Sequence, residues 1–224
     1  MPHCAVVGDG ETPDRTALDG AWPGWSDDLG FVVAADAGAI GAEALGLRVD
    51  LVVGDGDSLG DAGIARVRDS GIEIRLSPAE KDESDSELGI LACLDRTPSR
   101  ITILGAFGGP RLDHTLANIA LLAMPELGGL DVRMLDERTR VRLMRAEGAA
   151  TTLELAGRVG DLVSLLPFGD GADGITTAGL AYPLRGEPLL VGRVRGLSNV
   201  RSKPVASIRL ERGRLLVIES PATL

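Results

Sequence analysis

Short apolar runs alternate with helix-like segments from the start of the chain to about residue 136. The apolar runs are continuous, which is typical of strands that are buried on both faces of a sheet. They lie at 5–7, 31–35, 51–53, 72–76, 101–104 and 132–135. Helices are predicted between them, at about 38–46, 60–70, 84–96 and 113–124. This repetition predicts an α/β N-terminal domain with a mostly parallel sheet flanked by helices.

The helical period fades after about residue 140, and strand-like runs separated by turn residues take its place. They lie at 151–155, 162–166, 174–182, 204–210 and 215–218. Residues 205–210 alternate between apolar and polar, and the polar segment 211–214 is predicted to be a hairpin turn into the last run. The pattern therefore predicts a smaller all-β antiparallel C-terminal sandwich domain. The polar segment 136–148 is the expected boundary, which gives domains at 1–138 and 146–224.

Composition narrows the possible functions. The 224 residues carry 23 Lys and Arg against 33 Asp and Glu, a net charge of −10 that repels nucleic acid. The two cysteines are far apart and there are only two histidines, so a disulfide framework and a zinc site both lack ligands. Acidic residues interrupt the first twenty positions, and no long apolar run follows. We therefore expect a cytoplasmic protein with small-molecule partners and no affinity for nucleic acid or membranes.

Acidic residues follow four of the predicted strands. In an open parallel sheet, ligands bind outside the carboxyl ends of the strands, so these residues are the first candidates for a site. The four loops carry Asp36 after the second run, Asp55 and Asp57 after the third, the acidic segment 81–87 after the fourth, and Asp113 after the fifth. We expect these loops to meet at one edge of the sheet.

Carboxylates that lie within about 4 Å of each other repel by roughly 1 to 4 kcal/mol per pair, so such a group needs a counter-ion. Oxygen ligands without imidazole or thiolate favour Mg²⁺ or Mn²⁺, and Mg²⁺ commonly shares its ligands with substrate phosphates. GxxxxGK[ST] is absent, and the glycine-rich segment 54–59 fails GxGxxG at its last position. Phosphate binding is therefore expected from the cation, from Lys81 and Arg111, and from backbone amides at 105–109 and at helix starts.

Some of these residues also have purely structural explanations. Ser84 and Glu87 fit a capping box at a helix start, a role that is compatible with one in binding. Asp36 and the aspartates at 55 and 57 fit strand-end turns, where Asp and Gly are favoured. The presence of all four loops at one predicted edge favours a functional site.

The same segments resemble the thiamine pyrophosphokinase family. The family patterns ADGGAN, PDLIIGDFDS, KDxTDxE and GGRxDHxxxN correspond in order to residues 35–40, 50–58, 81–87 and 108–118. In the second half, 160–167, 179–184 and 196–199 are also similar to the family. The resemblance covers nearly the whole chain.

The resemblance implies transfer of a pyrophosphoryl group from ATP to thiamine, which gives thiamine diphosphate and AMP, in a homodimer with thiamine at the subunit interface. It implies Mg²⁺ and phosphate binding by Asp36, Asp55, Asp57 and Asp85. It implies nucleotide contacts from Ser84, Arg111 and Asp113, and thiamine contacts from Ser198 and Asn199. Lys81 and Arg111 would stabilise the transferred charge, and Asp57 or Asp85 would accept the hydroxyl proton.

The chain departs from the family patterns at Ala37, Ile40, Gly56 and Pro110. No tryptophan follows Trp25, and Tyr182 is the only tyrosine. Two further hypotheses follow. One is a pyrophosphokinase for another hydroxymethyl heterocycle, such as a pterin. The other is a non-catalytic sensor of nucleotide or thiamine diphosphate that has kept the fold.

Overall fold

The computed structural model describes residues 1–78 and 80–222, which form two units. These are Met1–Glu137, the N-terminal unit, and Arg138–Leu224, the C-terminal unit. Residues 223 and 224, which end the predicted second domain, lie outside the described residues. In the described ranges, no helix combines the length and the apolar character needed to span a membrane.

Among the described residues, six strands form the sheet of the N-terminal unit, and every pairing between them is parallel. The strands are β1 (His3–Val7), β2 (Leu29–Ala35), β3 (Leu51–Gly54), β4 (Glu73–Leu76), β5 (Arg100–Leu104) and β6 (Asp131–Leu135). Their order is β4-β3-β2-β1-β5-β6. The chain therefore builds outward from β1 to β4 and then crosses to β5 on the other side. The loops after β1 and β5 flank this change of direction, where ligands bind in open α/β sheets.

Helices cover this sheet. They are α1 (Arg15–Ala21), α2 (Gly38–Ala44), α3 (Gly60–Asp69), α4 (Asp85–Leu94) and α5 (Leu112–Leu121), followed by a 3₁₀ turn at Pro125–Leu127. One core contains Val7, Leu18 and Trp25. Helix α4 packs closely on β1, since a Cβ on Gly89 would lie 2.7 Å from a methyl group of Val6. The apolar pattern does not predict α1, because this seven-residue helix buries only Leu18.

The C-terminal unit is antiparallel. Its strands are β7 (Arg140–Ala146), β8 (Thr151–Ala156), β9 (Leu162–Ala178), β10 (Arg185–Leu189), β11 (Asn199–Val200), β12 (Val205–Leu210) and β13 (Arg212–Ser220). The order is β7-β13-β9-β12-β8, and β10 and β11 also pair with β9. The core of this unit includes Leu155, Leu165, Ile208 and Val217.

The predicted hairpin at 211–214 is wrong. Strand β13 pairs with β9 from Ser220↔Leu162 to Arg212↔Asp173, and β12 continues along β9 from Arg209↔Thr176 to Ser207↔Ala178. The chain therefore does not reverse at Glu211 but runs on beside the same 17-residue strand. The pairing of β13 with β9 has a register shift between Gly213 and Arg214, within the polar segment that suggested a turn.

Two further features of the C-terminal unit differ from the sequence prediction. The predicted runs at 162–166 and 174–182 belong largely to one strand, β9, which ends at Ala178. The expected boundary segment 136–148 contains β7. Its arginines made β7 look like a polar loop in the sequence. Arg142 is in fact a buried residue of β7 and pairs with Glu219 on β13.

Candidate active site

Three carboxylates converge at the carboxyl edge of the parallel sheet. Asp36 follows β2, Asp55 follows β3 and Asp85 begins α4. One oxygen from each lies within 4.8 Å of the others, a spacing suited to a metal ion. Asp36 is 4% exposed, whereas Asp55 and Asp85 are partly exposed. The loops predicted to meet do bring these three side chains together.

The backbone makes room for this convergence. Asp36 has a φ of 47°, in the left-handed region that Asp tolerates better than most residues. Gly54, with a φ of 141°, lies between the carboxylates, since a Cβ there would be 3.2 Å from Asp36 Cβ and 3.3 Å from an Asp85 oxygen. Gly54 is therefore required for two reasons: its backbone conformation favours glycine, and the acidic side chains occupy the space that a Cβ would need.

The two carboxylate oxygens of Asp36 have different surroundings. Its Oδ2 accepts a hydrogen bond from the Ser58 backbone N–H at 3.0 Å. Its Oδ1 is buried and has no hydrogen-bond partner among the described residues. A buried, unpartnered carboxylate oxygen is costly unless a cation or proton satisfies it. Asp36, Asp55 and Asp85 together therefore fit Mg²⁺, whose preferred ligands are carboxylate oxygens.

Lys81 provides positive charge at the same place. Its Nζ lies 2.8 Å from Asp85 Oδ1, and its side chain is only 12% exposed. The hydrogen bond with Asp85, together with the charges of Asp85, Asp55 and Asp36, raises the pKa of Lys81. Lys81 is therefore a permanent cation that partly compensates the three carboxylates.

The other predicted residues of this unit lie differently. Asp57 is exposed, and its backbone N–H donates to Asp55 Oδ1 at 3.1 Å. Ser84 is exposed and is the N-cap of α4, where its hydroxyl accepts from the Glu87 N–H at 3.2 Å, so the predicted capping role is confirmed. Arg111 and Asp113 form an exposed ion pair at the start of α5.

Gly56, where the family pattern has phenylalanine, has a φ of 83°. A Cβ there would lie 2.7 Å from Ile64 Cδ1 and 3.5 Å from Leu76 Cδ2. Aliphatic side chains from α3 and β4 therefore occupy the space beside this position.

Ser198 and Asn199 lie in the C-terminal unit, at the short strand β11. Ser198 is exposed with a φ of 56°, and its N–H donates to Ser164 Oγ at 2.9 Å. Asn199 is 8% exposed, and its side-chain amide binds the backbone of Tyr182. The Tyr182 side chain is 70% exposed. The predicted thiamine-contacting pair thus consists of one exposed residue and one buried residue that supports an exposed tyrosine.

Sequence reasoning missed Asp9, which follows β1. Partial burial and the negative charges of Asp36 and Asp85 raise its pKa, while a hydrogen bond with Ser58 and the charge of His114 lower it. The signal was available, because Asp9 lies two residues after an apolar run, as Asp55 does. Asp9 was overlooked because the run at 5–7 is short and because Gly8 and Gly10 on either side make the segment look like an ordinary turn.

The N-terminal unit has the features of a phosphate-handling enzyme domain: a parallel sheet, carboxylates that fit a divalent cation, and a lysine beside them. Comparison with known proteins agrees with this class. Residues 25–133 match the family described as "Thiamin pyrophosphokinase, catalytic domain", and residues 150–215 match "Thiamin pyrophosphokinase, vitamin B1 binding domain". The two ranges cover more than three quarters of the chain. The protein belongs to the thiamine pyrophosphokinase family, and it is therefore an enzyme.

Individual relatives extend over nearly the full length. The chain is 27% identical over 209 residues to the thiamine pyrophosphokinase of Bacillus subtilis, which covers 93% of this chain and 92% of the relative. A crystal structure of thiamine pyrophosphokinase from Bacillus subtilis has a TM-score of 0.82 at 24% identity, with 97% of this chain and 98% of that chain covered. The structure of thiamin pyrophosphokinase from Candida albicans has a TM-score of 0.73 at 18% identity, with 98% of this chain and 90% of that chain covered. These structures show that the fold is shared.

Proposed function

We propose that this enzyme transfers the pyrophosphoryl group of ATP to thiamine in a Mg²⁺-dependent reaction, giving thiamine diphosphate and AMP. The observation that carries the proposal is the convergence of Asp36, Asp55 and Asp85 around the buried Oδ1 of Asp36, which has no hydrogen-bond partner within residues 1–78 and 80–222. Family membership supplies the substrate class. The proposal includes a homodimer, as the family resemblance implies, and a cytoplasmic location, which rests on the two distant cysteines and the acidic residues of the first twenty positions.

The reaction places most of its demands on alignment and charge. The acceptor hydroxyl oxygen forms a bond to the β-phosphorus of ATP, and the bond between that phosphorus and the oxygen bridging to the α-phosphate breaks, so that AMP leaves. A Mg²⁺ ion held by Asp36, Asp55 and Asp85 would supply charge neutralisation on the phosphates. Lys81 holds Asp85 in place and contributes further positive charge at the same edge.

The acceptor hydroxyl must lose its proton, and Asp57 and Asp85 are the candidates. Lys81 Nζ lies 2.8 Å from Asp85 Oδ1, so that oxygen is already engaged in an ion pair. The side chain of Asp57 is exposed beside Asp55. We therefore assign proton acceptance to Asp57. Ser84, Arg111 and Asp113 are proposed to contact the nucleotide, with Arg111 as a phosphate ligand.

The acceptor side of the proposal rests on β11 and its surroundings. Ser198 offers an exposed hydroxyl, and Tyr182 offers an exposed aromatic ring of the kind that packs against heterocycles. Asn199 would act on thiamine through Tyr182, because both ends of its amide bind the Tyr182 backbone. This differs from a direct thiamine contact for Asn199.

The test is ATP turnover with Mg²⁺ and thiamine, with AMP and thiamine diphosphate measured by chromatography. We expect the two products in equal amounts, and their loss in Asp55→Asn. Asp69→Asn is the matched control, since it makes the same charge change at the exposed far end of α3. Release of ADP instead of AMP would reject pyrophosphoryl transfer.

The same assay separates the two other hypotheses. A panel of hydroxymethyl heterocycles that includes a pterin identifies the acceptor, because only the true acceptor supports AMP formation at low concentration. ATP binding without any AMP formation, and a cellular effect that survives Asp57→Asn, would favour the sensor.

A further inference from the structure

The loop between β5 and α5, residues 105–111, borders the crevice where the sheet changes direction. Three backbone hydrogen bonds join the ends of β1 and β5 and the loops that follow them: Gly8 N–H to Leu104 O at 2.8 Å, Gly10 N–H to Gly105 O at 2.8 Å and Glu11 N–H to Phe107 O at 2.9 Å. The loop after β1 in turn reaches the start of α4, since a Cβ on Gly8 would lie 3.5 Å from Ser86 Oγ. The 105–111 loop therefore belongs to the same edge of the sheet as Asp85.

Glycine gives this loop a shape that presents backbone N–H groups. Gly105, Gly108 and Gly109 have φ values of 61°, 73° and 76°, in the left-handed region that favours glycine. Within residues 1–78 and 80–222, no backbone carbonyl accepts a hydrogen bond from the N–H groups of Phe107, Gly108 or Gly109. Gly108 and Gly109 are exposed, and Phe107 is partly exposed. Backbone N–H groups in such turns bind anions, so these three are suited to phosphate oxygens.

Helix α5, which continues from the loop, is not anchored by buried side chains of its own. None of its residues, Leu112–Leu121, is buried, and Leu112 and Leu116 are 70% and 59% exposed. Its N-cap residue, Arg111, makes no capping hydrogen bond through its side chain. A specific contact is therefore needed to fix the loop against the helix.

Asn118 makes that contact. Its Nδ2 donates to Ala106 O at 3.0 Å and so ties α5 to the loop twelve positions earlier. In a planar trans peptide, the carbonyl of one residue and the N–H of the next point in opposite directions. Holding Ala106 O toward α5 therefore turns the Phe107 N–H away from the helix. In the same way, the bond from Glu11 to Phe107 O turns the Gly108 N–H away from the loop after β1.

We propose that Asn118 is a positioning residue that holds the 105–111 loop in the shape that binds the phosphate groups of ATP. The loop contributes the N–H groups of Phe107, Gly108 and Gly109, and Arg111 adds positive charge at its end. Asn118 acts through Ala106 and does not contact the nucleotide. The inference rests on the proposed function, because that function supplies ATP as the ligand.

The experiment measures ATP binding to the full chain by isothermal titration calorimetry, with Mg²⁺ and without thiamine. Asn118→Ala should raise the dissociation constant of ATP about fivefold, because the loop loses one hydrogen bond. Asn118→Asp has nearly the same shape but puts a carboxylate beside Ala106 O, so we expect an increase of about tenfold. Ala120→Asp adds the same charge at an exposed position of α5 and should leave the constant unchanged.

Steady-state kinetics separate a role in phosphate binding from a general structural role. In Asn118→Ala the KM for ATP should rise by the same factor as the dissociation constant, while the KM for thiamine stays unchanged. Alanine is the strongest helix former, so this variant should keep α5 folded, and thermal unfolding checks that it does.

The inference is wrong if Asn118→Ala binds ATP as tightly as the parent, or if its KM values for ATP and thiamine rise equally. It is also wrong if the parent binds no ATP. The proposed function is judged separately, by the formation of AMP and thiamine diphosphate in the parent. A parent that forms both products beside an unaffected Asn118→Ala would refute the role of Asn118 alone. A parent that binds ATP but forms no AMP would refute the function, and the titration would still decide the role of Asn118.

Discussion

The side-chain amide of Asn199 binds both backbone polar groups of Tyr182. Its Oδ1 accepts from the Tyr182 N–H at 3.0 Å, and its Nδ2 donates to Tyr182 O at 2.6 Å. Asn199 Oδ1 also accepts from the Val200 N–H at 2.9 Å. A buried side chain thus fixes the backbone of a residue whose ring is 70% exposed. Asn199 is therefore a support for Tyr182.

Asn199→Ala should affect both stability and acceptor binding. Loss of the amide leaves the Tyr182 backbone groups without their partner, so the free energy of unfolding should fall by about 1–3 kcal/mol. The KM for thiamine should rise more than the KM for ATP, because Tyr182 is no longer held. Urea unfolding and steady-state kinetics measure the two effects.

Ser198→Gly is the comparison. Glycine readily adopts the φ of 56° at this position, so we expect a higher thiamine KM without a loss of stability. An unchanged thiamine KM in Asn199→Ala would contradict the supporting role.

Glu219 should make the stability of the C-terminal unit depend on pH. It is 2% exposed and bonded to Arg140, Arg142 and Arg201. Burial alone would raise its pKa, but the arginines outweigh burial and the pKa is lowered below 4.5. A carboxyl with a lowered pKa in the folded state stabilises the protein above its unfolded pKa, and this contribution is lost as pH falls through the folded value. Urea unfolding between pH 7 and pH 3 should therefore show a loss below about pH 4.5.

Glu219→Gln should remove that part of the pH dependence. It should also lower stability at pH 7 by about 3–5 kcal/mol, because three arginines lose a buried counter-charge. Glu147→Gln is the control, since Glu147 pairs with Arg214 on the surface, where both side chains are at least 40% exposed. It should cost less than about 1 kcal/mol. An equal effect of the two variants would show that burial of Glu219 is unimportant.

Gly157→Ala should destabilise the protein through Arg201. A Cβ at position 157 would lie 2.9 Å from Arg201 Nε and 3.0 Å from its Cζ. This guanidinium cannot move easily, because it is bonded to Leu155 O and Glu219. We expect a loss of about 1–3 kcal/mol in urea unfolding. Gly20→Ala, in α1 with no atom within 4 Å of the new Cβ, should instead stabilise by about 0.5–1 kcal/mol. Similar effects in the two variants would rule out the guanidinium contact as the cause.

Mg²⁺ should raise the melting temperature, and Asp36→Asn should abolish the increase. A ligand at 100 times its dissociation constant stabilises the folded state by about 2.7 kcal/mol. Asparagine tolerates the left-handed conformation of Asp36, and its side-chain oxygen can still accept from Ser58. Without metal, the variant should therefore melt no lower than the parent. Calorimetry with Mg²⁺ and with a chelator tests both statements, and an undiminished Mg²⁺ effect in Asp36→Asn would place the cation elsewhere.

The N-terminal strands could be predicted from their apolar runs. The meeting of Asp36, Asp55 and Asp85 could be predicted because their loops follow strands of one parallel sheet, whose carboxyl ends lie at one edge. The remaining features depend on partners distant in sequence. Arg142 makes β7 look like a polar boundary until Glu219 is placed opposite it. The polar segment at Glu211 resembles a turn in the sequence, but β12 and β13 on either side of it both pair with β9. No local pattern reveals either partner.

The position of β13 has a consequence for the order in which the protein can fold during synthesis. Strand β13, the last in the chain, lies between β7 and β9 and pairs with both. On the ribosome, the N-terminal unit has all six of its strands once residue 135 has emerged. In contrast, 33 residues, 179–211, separate the end of β9 from the start of β13, so β7 and β9 are synthesised well before the strand that pairs with both. A nascent chain stalled before Arg212 would expose two unpaired strand edges, so chaperone binding should concentrate on the C-terminal half of the unfinished polypeptide.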